Sequence, residues 1–156
     1  MEASRHMRRA IELAKENVRK RQGGPFGAVI VQGDQVIAEG TNLVTSQNDP
    51  TAHAEVVAIR RACESMGHFE LRDCELYTSC EPCPMCLGAM YWARLGRLYF
   101  ACTREDAAEA GFDDRFIYDQ IPLAPEERNF PTSSLLREEG LEAFRVWAES
   151  PDKIPY

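Results

Sequence analysis

At 156 residues with 44% hydrophobic side chains, the chain has the length of one domain and enough apolar material for a buried core. Lys and Arg total 18 against 25 Asp and Glu, and the net charge of −7 argues against a protein that tracks a phosphate backbone. No apolar run is long enough to span a bilayer and no signal-like stretch follows the charged segment Met1 to Arg9, so the expected setting is cytoplasmic, with no membrane partner.

The first predicted element is a helix over roughly residues 3 to 21, with Met7, Ile11, Ala14 and Val18 as its apolar stripe and Gly23-Gly24-Pro25 as its stop. Arg5, Arg8, Arg9, Lys15, Arg19, Lys20 and Arg21 surround that stripe and read as a solvated face rather than a nucleic-acid surface. Phe26 to Val31 and Gln35 to Glu39 are β-rich runs flanking Gly33-Asp34, a hairpin signal. Asp49-Pro50-Thr51 then supplies a turn and a capping side chain for a helix carrying Val56, Ile59, Cys63 and Met66 at helical spacing. Strand-like Glu75-Leu76-Tyr77-Thr78-Ser79 precedes another helix, opened by Pro82 or Pro84 and running to about Arg94. A strand over Arg97 to Ala101 follows. After Thr103 the pattern loosens into Gly111-Phe112-Asp113-Asp114 and a stretch marked by Pro122, Pro125 and Pro131, before a short helix around Leu141 to Ala148. Strands alternating with helices point to an α/β sheet covered on both faces.

The chemistry concentrates in His53-Ala54-Glu55 and Pro82-Cys83-Pro84-Met85-Cys86. His53, Cys83 and Cys86 can hold Zn²⁺ while a fourth position stays open for water, which separates a catalytic site from a closed structural one. Zinc lowers the pKa of its bound water to about 7. Glu55, left off the metal, is suited to move protons from that water to a ring nitrogen and then to a leaving amine. Both His53 and Glu55 fall in the first helical turn, near the positive end of the dipole.

Three other arrangements compete. A thioredoxin-like Cys-x-x-Cys explains neither His-x-Glu nor Pro84. An iron–sulfur run through Cys80, Cys83 and Cys86 would need its fourth cysteine at Met90. A closed zinc site that adds Cys80 is the non-enzyme alternative, a structural-zinc interaction module. His6 and His68 read as structural side chains. Cys63, Cys74, Cys80 and Cys102 are expected as reduced, buried thiols.

The H-x-E…P-C-x-x-C arrangement resembles the signature of the zinc nucleobase deaminases. Gly24-Pro25-Phe26-Gly27-Ala28, the run from Asn48 to Glu55 and the run from Thr78 to Cys86 are similar to the cytidine-deaminase superfamily. The segment Ala107 to Asp114 and the terminal tyrosine resemble its bacterial guanine deaminase branch.

The resemblance implies a three-layer α/β/α sandwich with a central five-stranded mixed sheet, a single deaminase domain over residues 1–156, and one catalytic Zn²⁺ per subunit. It implies a homodimer that exchanges its C-terminal segment, about residues 120–156, so that Tyr156 covers the neighbouring site. The implied reaction is hydrolysis of guanine to xanthine and ammonia in purine catabolism or salvage, with a small purine base as partner and no nucleic acid. Deamination of tRNA adenosine, cytosine or guanosine is the alternative within the superfamily.

For substrate binding, Asp114 would accept from the N1 donor, and Asn42 would offer amide hydrogens to O6 or N7. Phe26 and a neighbour's Tyr156 would sandwich the purine, with Ala54 also at the ligand. Adenine lacks the N1 proton, and sites built on such a donor reject the analogue by about 10⁴–10⁵. Asp114 and Asn42 also suit turns.

Overall fold

Along Gly27–Gln32 (β1), Ala28 and Ile30 face one way and Val29 and Val31 the other, and all four are buried. A strand apolar on both faces belongs inside a sheet with a layer on each side. The computed structural model describes residues 2–156. In chain order its elements are α1 (Glu2–Arg19), β1, β2 (Gln35–Thr41), α2 (Val44–Gln47), α3 (Ala54–Met66), β3 (Cys74–Cys80), α4 (Pro84–Trp92), β4 (Arg97–Cys102), α5 (Arg104–Glu109), α6 (Arg115–Gln120), a 3₁₀ turn at Pro125–Glu127, and α7 (Arg137–Glu149).

The sheet runs β2-β1-β3-β4. β1 is antiparallel to both neighbours, whereas β3 and β4 are parallel, so the sheet is mixed. Helix α1 packs on the Val29 face through Ala10 and Leu13, and α3 and α4 pack on the Ala28 face through Ala54, Ala58, Ala62 and Met90. The three layers are those implied by the resemblance, but the sheet has four strands and not five. All four strands legible in the residues are present; a fifth has no counterpart among the described residues. Beyond β4 the chain turns straight into α5, because Thr103 and Asp106 form a capping box: the Thr103 hydroxyl accepts from the Asp106 N–H, and the Asp106 carboxylate accepts from the Thr103 N–H. Farther on, Pro122, Pro125 and Pro131 have no N–H to give to a ladder.

Two glycines set the layer spacing. A Cβ on Gly27 would stand 2.3 Å from the Ala10 carbonyl oxygen, and one on Gly40 would stand 2.2 Å from that of Ala54. Their absence lets both helices settle deeply, and it corrects the expected stripes. In α1 the buried row is His6, Ala10, Leu13, Ala14 and Asn17, while Ile11 and Val18 are exposed. In α3 the deepest row is Ala54, Ala58 and Ala62, with Ile59 and Cys63 partly buried beside it. Small residues face the glycines because only they permit the close approach.

Asp49 does not cap α3. Its carboxylate accepts from the N–H and hydroxyl of Thr51, and His53 stands at the N-cap with no side-chain capping bond. Short α2, α5 and α6 lie where no helix is predicted, and α7 starts earlier than expected. All six cysteines are free; Cys74 and Cys80 are buried as expected, but Cys63 is only half-buried and Cys102 is exposed. His6 packs against Tyr77, and His68 stacks on Phe69.

Two compact units meet in sequence after Asp114. The first contains the sheet and α1 to α5. The second, Arg115–Tyr156, contains α6 and α7, and none of its residues is buried. Among the described residues, no helix is long and apolar enough to cross a membrane.

Candidate active site

Two helix starts supply the reactive groups. His53 is the N-cap of α3 and Cys83 the N-cap of α4, both in extended conformation and neither using its side chain as a cap. Each backbone carbonyl takes the first helical bond, from Val57 N–H and Leu87 N–H, which leaves imidazole and sulfur free to point elsewhere. Pro84 begins α4 without sacrificing a hydrogen bond. The loop before it is pinned to β4 and α5: Glu81 N–H donates to the Cys102 carbonyl, and the Glu81 carboxylate accepts from Arg104 N–H.

His53 Nδ1 lies 3.5 Å from Cys83 Sγ and 3.5 Å from Cys86 Sγ. The three ligand atoms lie within 4.8 Å of one another. Zinc at about 2.3 Å from sulfur and about 2.0 Å from nitrogen, with tetrahedral angles, would separate S and N by about 3.5 Å. The residues present therefore fit such an ion. Glu55 is buried and outside that group. Thr78 Oγ1 donates to its Oε1 at 3.1 Å, and Cys86 Sγ–H donates to its Oε2 at 3.4 Å. Cys80 is also outside: its thiol donates to the Thr103 carbonyl at 3.5 Å and is pushed up to about 11, chiefly by burial.

Charge follows these contacts. The hydrogen bond from Cys86, reinforced by one from His53, brings Cys83 down to about 4 against the opposing effect of burial. As the donor in that pair, Cys86 is pushed up, its single S–H being shared between Cys83 and Glu55 Oε2. The hydrogen bond to Cys83 raises His53. Burial raises the Glu55 carboxyl, making it a group able to hold a proton.

Residues 1–102 match the family described as the cytidine and deoxycytidylate deaminase zinc-binding region. The chain belongs to that deaminase family. It is 55% identical over 150 residues to guanine deaminase of Bacillus subtilis, covering 96% of each chain. The X-ray structure of guanine deaminase from Bacillus subtilis matches with a TM-score of 0.96 at 54% identity, over 98% of both chains. A tRNA-specific adenosine deaminase of Agrobacterium fabrum is 42% identical over 106 residues, 65% of this chain and 70% of that protein.

In this deaminase the remaining predicted site residues are not all gathered around the sulfurs. Asp114 is close enough to Cys83 for the two negative charges to oppose each other. Burial first, and then that sulfur, raises its carboxyl, opposed by its own N–H and by Arg104. Its Oδ1 is buried with no hydrogen-bond partner among the described residues.

Asn42 is buried and its Oδ1 accepts from Gly24 N–H and Val44 N–H, which turns its amide hydrogens away from those two backbone donors. The Ala54 side chain is lost in the core, so only its backbone is available to a ligand. Phe26 packs edge-on against Phe112, ring centres 4.9 Å apart. Both rings border a cavity of about 570 Å³ that also touches Ile11, Val18, Cys80 and Cys102. Tyr156 belongs to the second unit and its side chain is exposed.

Three contributors escaped sequence reasoning. Thr78 grips Glu55. Phe112 packs on Phe26. Asn17, fully buried, donates to the carbonyls of Gly24 and Asn42 and so ties the glycine turn to the end of β2. A buried asparagine within an amphipathic helix was the available signal for the last.

Proposed function

We propose that the chain catalyses hydrolytic deamination of guanine to xanthine and ammonia, with one zinc ion held by His53, Cys83 and Cys86. Zinc supplies Lewis acidity and an activated water at neutral pH. Glu55, buried and with its carboxyl raised, takes one proton from that water and delivers it to N3 of the base. It then takes the remaining proton from the oxygen added at C2 and passes it to the amine, which departs as ammonia while the C2 carbonyl forms. Asp114 accepts from N1–H. Asn42 directs its amide hydrogens at O6 or N7, and Phe26 offers a ring face to the purine.

The observation that carries the choice of base is the buried, partnerless Oδ1 of Asp114 near the cysteine pair. An acceptor in that state is complementary to a ring N–H and opposed to the bare N1 of adenine.

The catalytic partner is a small base rather than an RNA strand. The cationic face of α1 is largely neutralised: Arg9 makes a two-pronged bond to Glu39, Arg19 meets Glu12 and Lys20 meets Glu16, and Lys15 pairs with Glu12. The chain works as a homodimer in which the segment Arg115–Tyr156 is exchanged and Tyr156 closes over the neighbour's purine. What supports this is a segment that buries none of its own residues while exposing Phe116, Phe130, Leu135, Phe144, Trp147 and Ile154. Six free cysteines fit a cytoplasmic setting.

The test is a panel of guanine, adenine, cytosine, guanosine and a tRNA anticodon stem-loop, scored for ammonia with the zinc-loaded protein. Release from guanine with little from adenine supports the reading. Release from the stem-loop, or from no base at all, overturns it.

A further inference from the structure

Glu55 is buried, and one side chain of the sheet donates to it. Along β3, Cys74, Leu76 and Thr78 alternate onto the face covered by α3, and the first two belong to the core cluster. Thr78 has no exposed surface and is flanked on both sides, paired with Ala28 of β1 and Phe100 of β4. Its hydroxyl donates to Glu55 Oε1 at 3.1 Å. A β-branched residue in a central strand has little χ1 freedom, so this donor is held rigidly. The only other side-chain donor to Glu55 among the described residues is Cys86, at Oε2. A sulfur committed to a metal ion has no hydrogen to donate.

We propose that Thr78 is a positioning residue for the deamination: its hydroxyl fixes the rotation of the Glu55 carboxylate, so that one oxygen is tied to the sheet and the other faces the reacting atoms. The inference rests on the role given to Glu55 in the proposed reaction. The Thr78 hydroxyl is paired with Glu55, and no hydrogen bond joins Thr78 to His53, Cys83 or Cys86 among the described residues. Its contribution is orientation, and it appears in turnover rather than in binding of the base.

The experiment compares Thr78→Val, Thr78→Ala and Thr78→Ser in the full-length, zinc-loaded protein, measuring kcat, KM and zinc content with the base that the wild type deaminates fastest. Serine and alanine lose the same methyl group and differ only in the hydroxyl, so that pair isolates the donor even if valine folds poorly. The expected result is a fall in kcat of about 10- to 100-fold for valine and alanine, the range typical of lost outer hydrogen bonds. KM should stay within about twofold, zinc content should not change, and serine should bring kcat back to within about threefold of wild type, well inside the 10- to 100-fold loss. Alanine at near wild-type kcat overturns the proposal. So does serine falling as far as alanine, or loss of zinc from the alanine variant. A wild type that releases ammonia from another base, or from none, refutes the guanine reading instead. In the second case serine and alanine are compared for zinc retention alone, and the orientation role is rejected with the reaction.

Discussion

Replacing Asp114 by Asn tests substrate recognition and has a sign on two separate measurements. Asp114 Oδ1 is buried without a partner, and burial together with the Cys83 sulfur raises its carboxyl. A hydrogen bond to a charged group contributes about 1.5–3 kcal/mol. Asparagine keeps a carbonyl acceptor for guanine N1–H but not the charge. The loss is the difference between a charged and a neutral hydrogen bond, about 1–1.5 kcal/mol, so kcat/KM falls by about 5- to 12-fold. The metal ligands are untouched, so zinc content stays the same.

The same substitution should stabilise the protein without substrate. A carboxyl raised by folding contributes stability that is fully present below its unfolded pKa and is lost as pH rises through its folded pKa. Asparagine escapes that loss, so the variant gains at neutral pH and the gain vanishes in acid. The variant should therefore melt at a higher Tm than the wild type at neutral pH, with no difference in acid. Initial rates of ammonia release from guanine and thermal melts at neutral and acid pH read the two effects. A folded, zinc-loaded variant with unchanged guanine kinetics refutes the recognition role, and a lower neutral Tm refutes the electrostatic account.

Three further outcomes are expected. Glu55→Gln keeps its zinc but loses about 10²–10⁴ in kcat, the range for a missing proton shuttle, as read by single-turnover ammonia release with metal analysis. Zinc uptake by the stripped protein at neutral pH releases at least about one proton, because Cys86 enters the reaction as a thiol while Cys83, at about 4, is already a thiolate; calorimetry in buffers of different ionisation enthalpy counts it, and zero release contradicts the proton held on Cys86. Gly40→Ala forces α3 away from β2, since the new Cβ would lie 2.2 Å from the Ala54 carbonyl oxygen. It should cost about 1–3 kcal/mol in denaturant melts and lower kcat, because α3 carries His53 and Glu55.

The four strands, α1, α3, α4 and the His/Cys/Cys set were legible because each leaves a local trace: a run, a breaker or a ligand spacing. Contacts between distant segments leave no such trace. Thr78 and Glu55 are 23 positions apart, Asn17 and Asn42 are 25 apart, and neither pair has a spacing to recognise. The stripe of α1 was misplaced by one helical row because hydrophobicity ranks Ile11 and Val18 above Ala10, whereas the space left by Gly27 admits only the small side chain. The opposite failure occurs at α5. Thr103 and Asp106 are a readable capping box, but six residues are too few for apolar periodicity to register. Asn42, after β2, was identifiable by its resemblance to the family's base-binding asparagine, while the direction of its amide follows from Gly24 and Val44, which only the fold brings to its oxygen.

X-ray absorption at the zinc edge of the full-length, metal-loaded protein examines the central premise directly. The account requires two sulfur scatterers at about 2.3 Å, one imidazole nitrogen at about 2.0 Å and one further light atom exchangeable with solvent, with the same spectrum in Glu55→Gln. Three sulfurs, or a spectrum that changes in that variant because the carboxylate was itself a ligand, would contradict it.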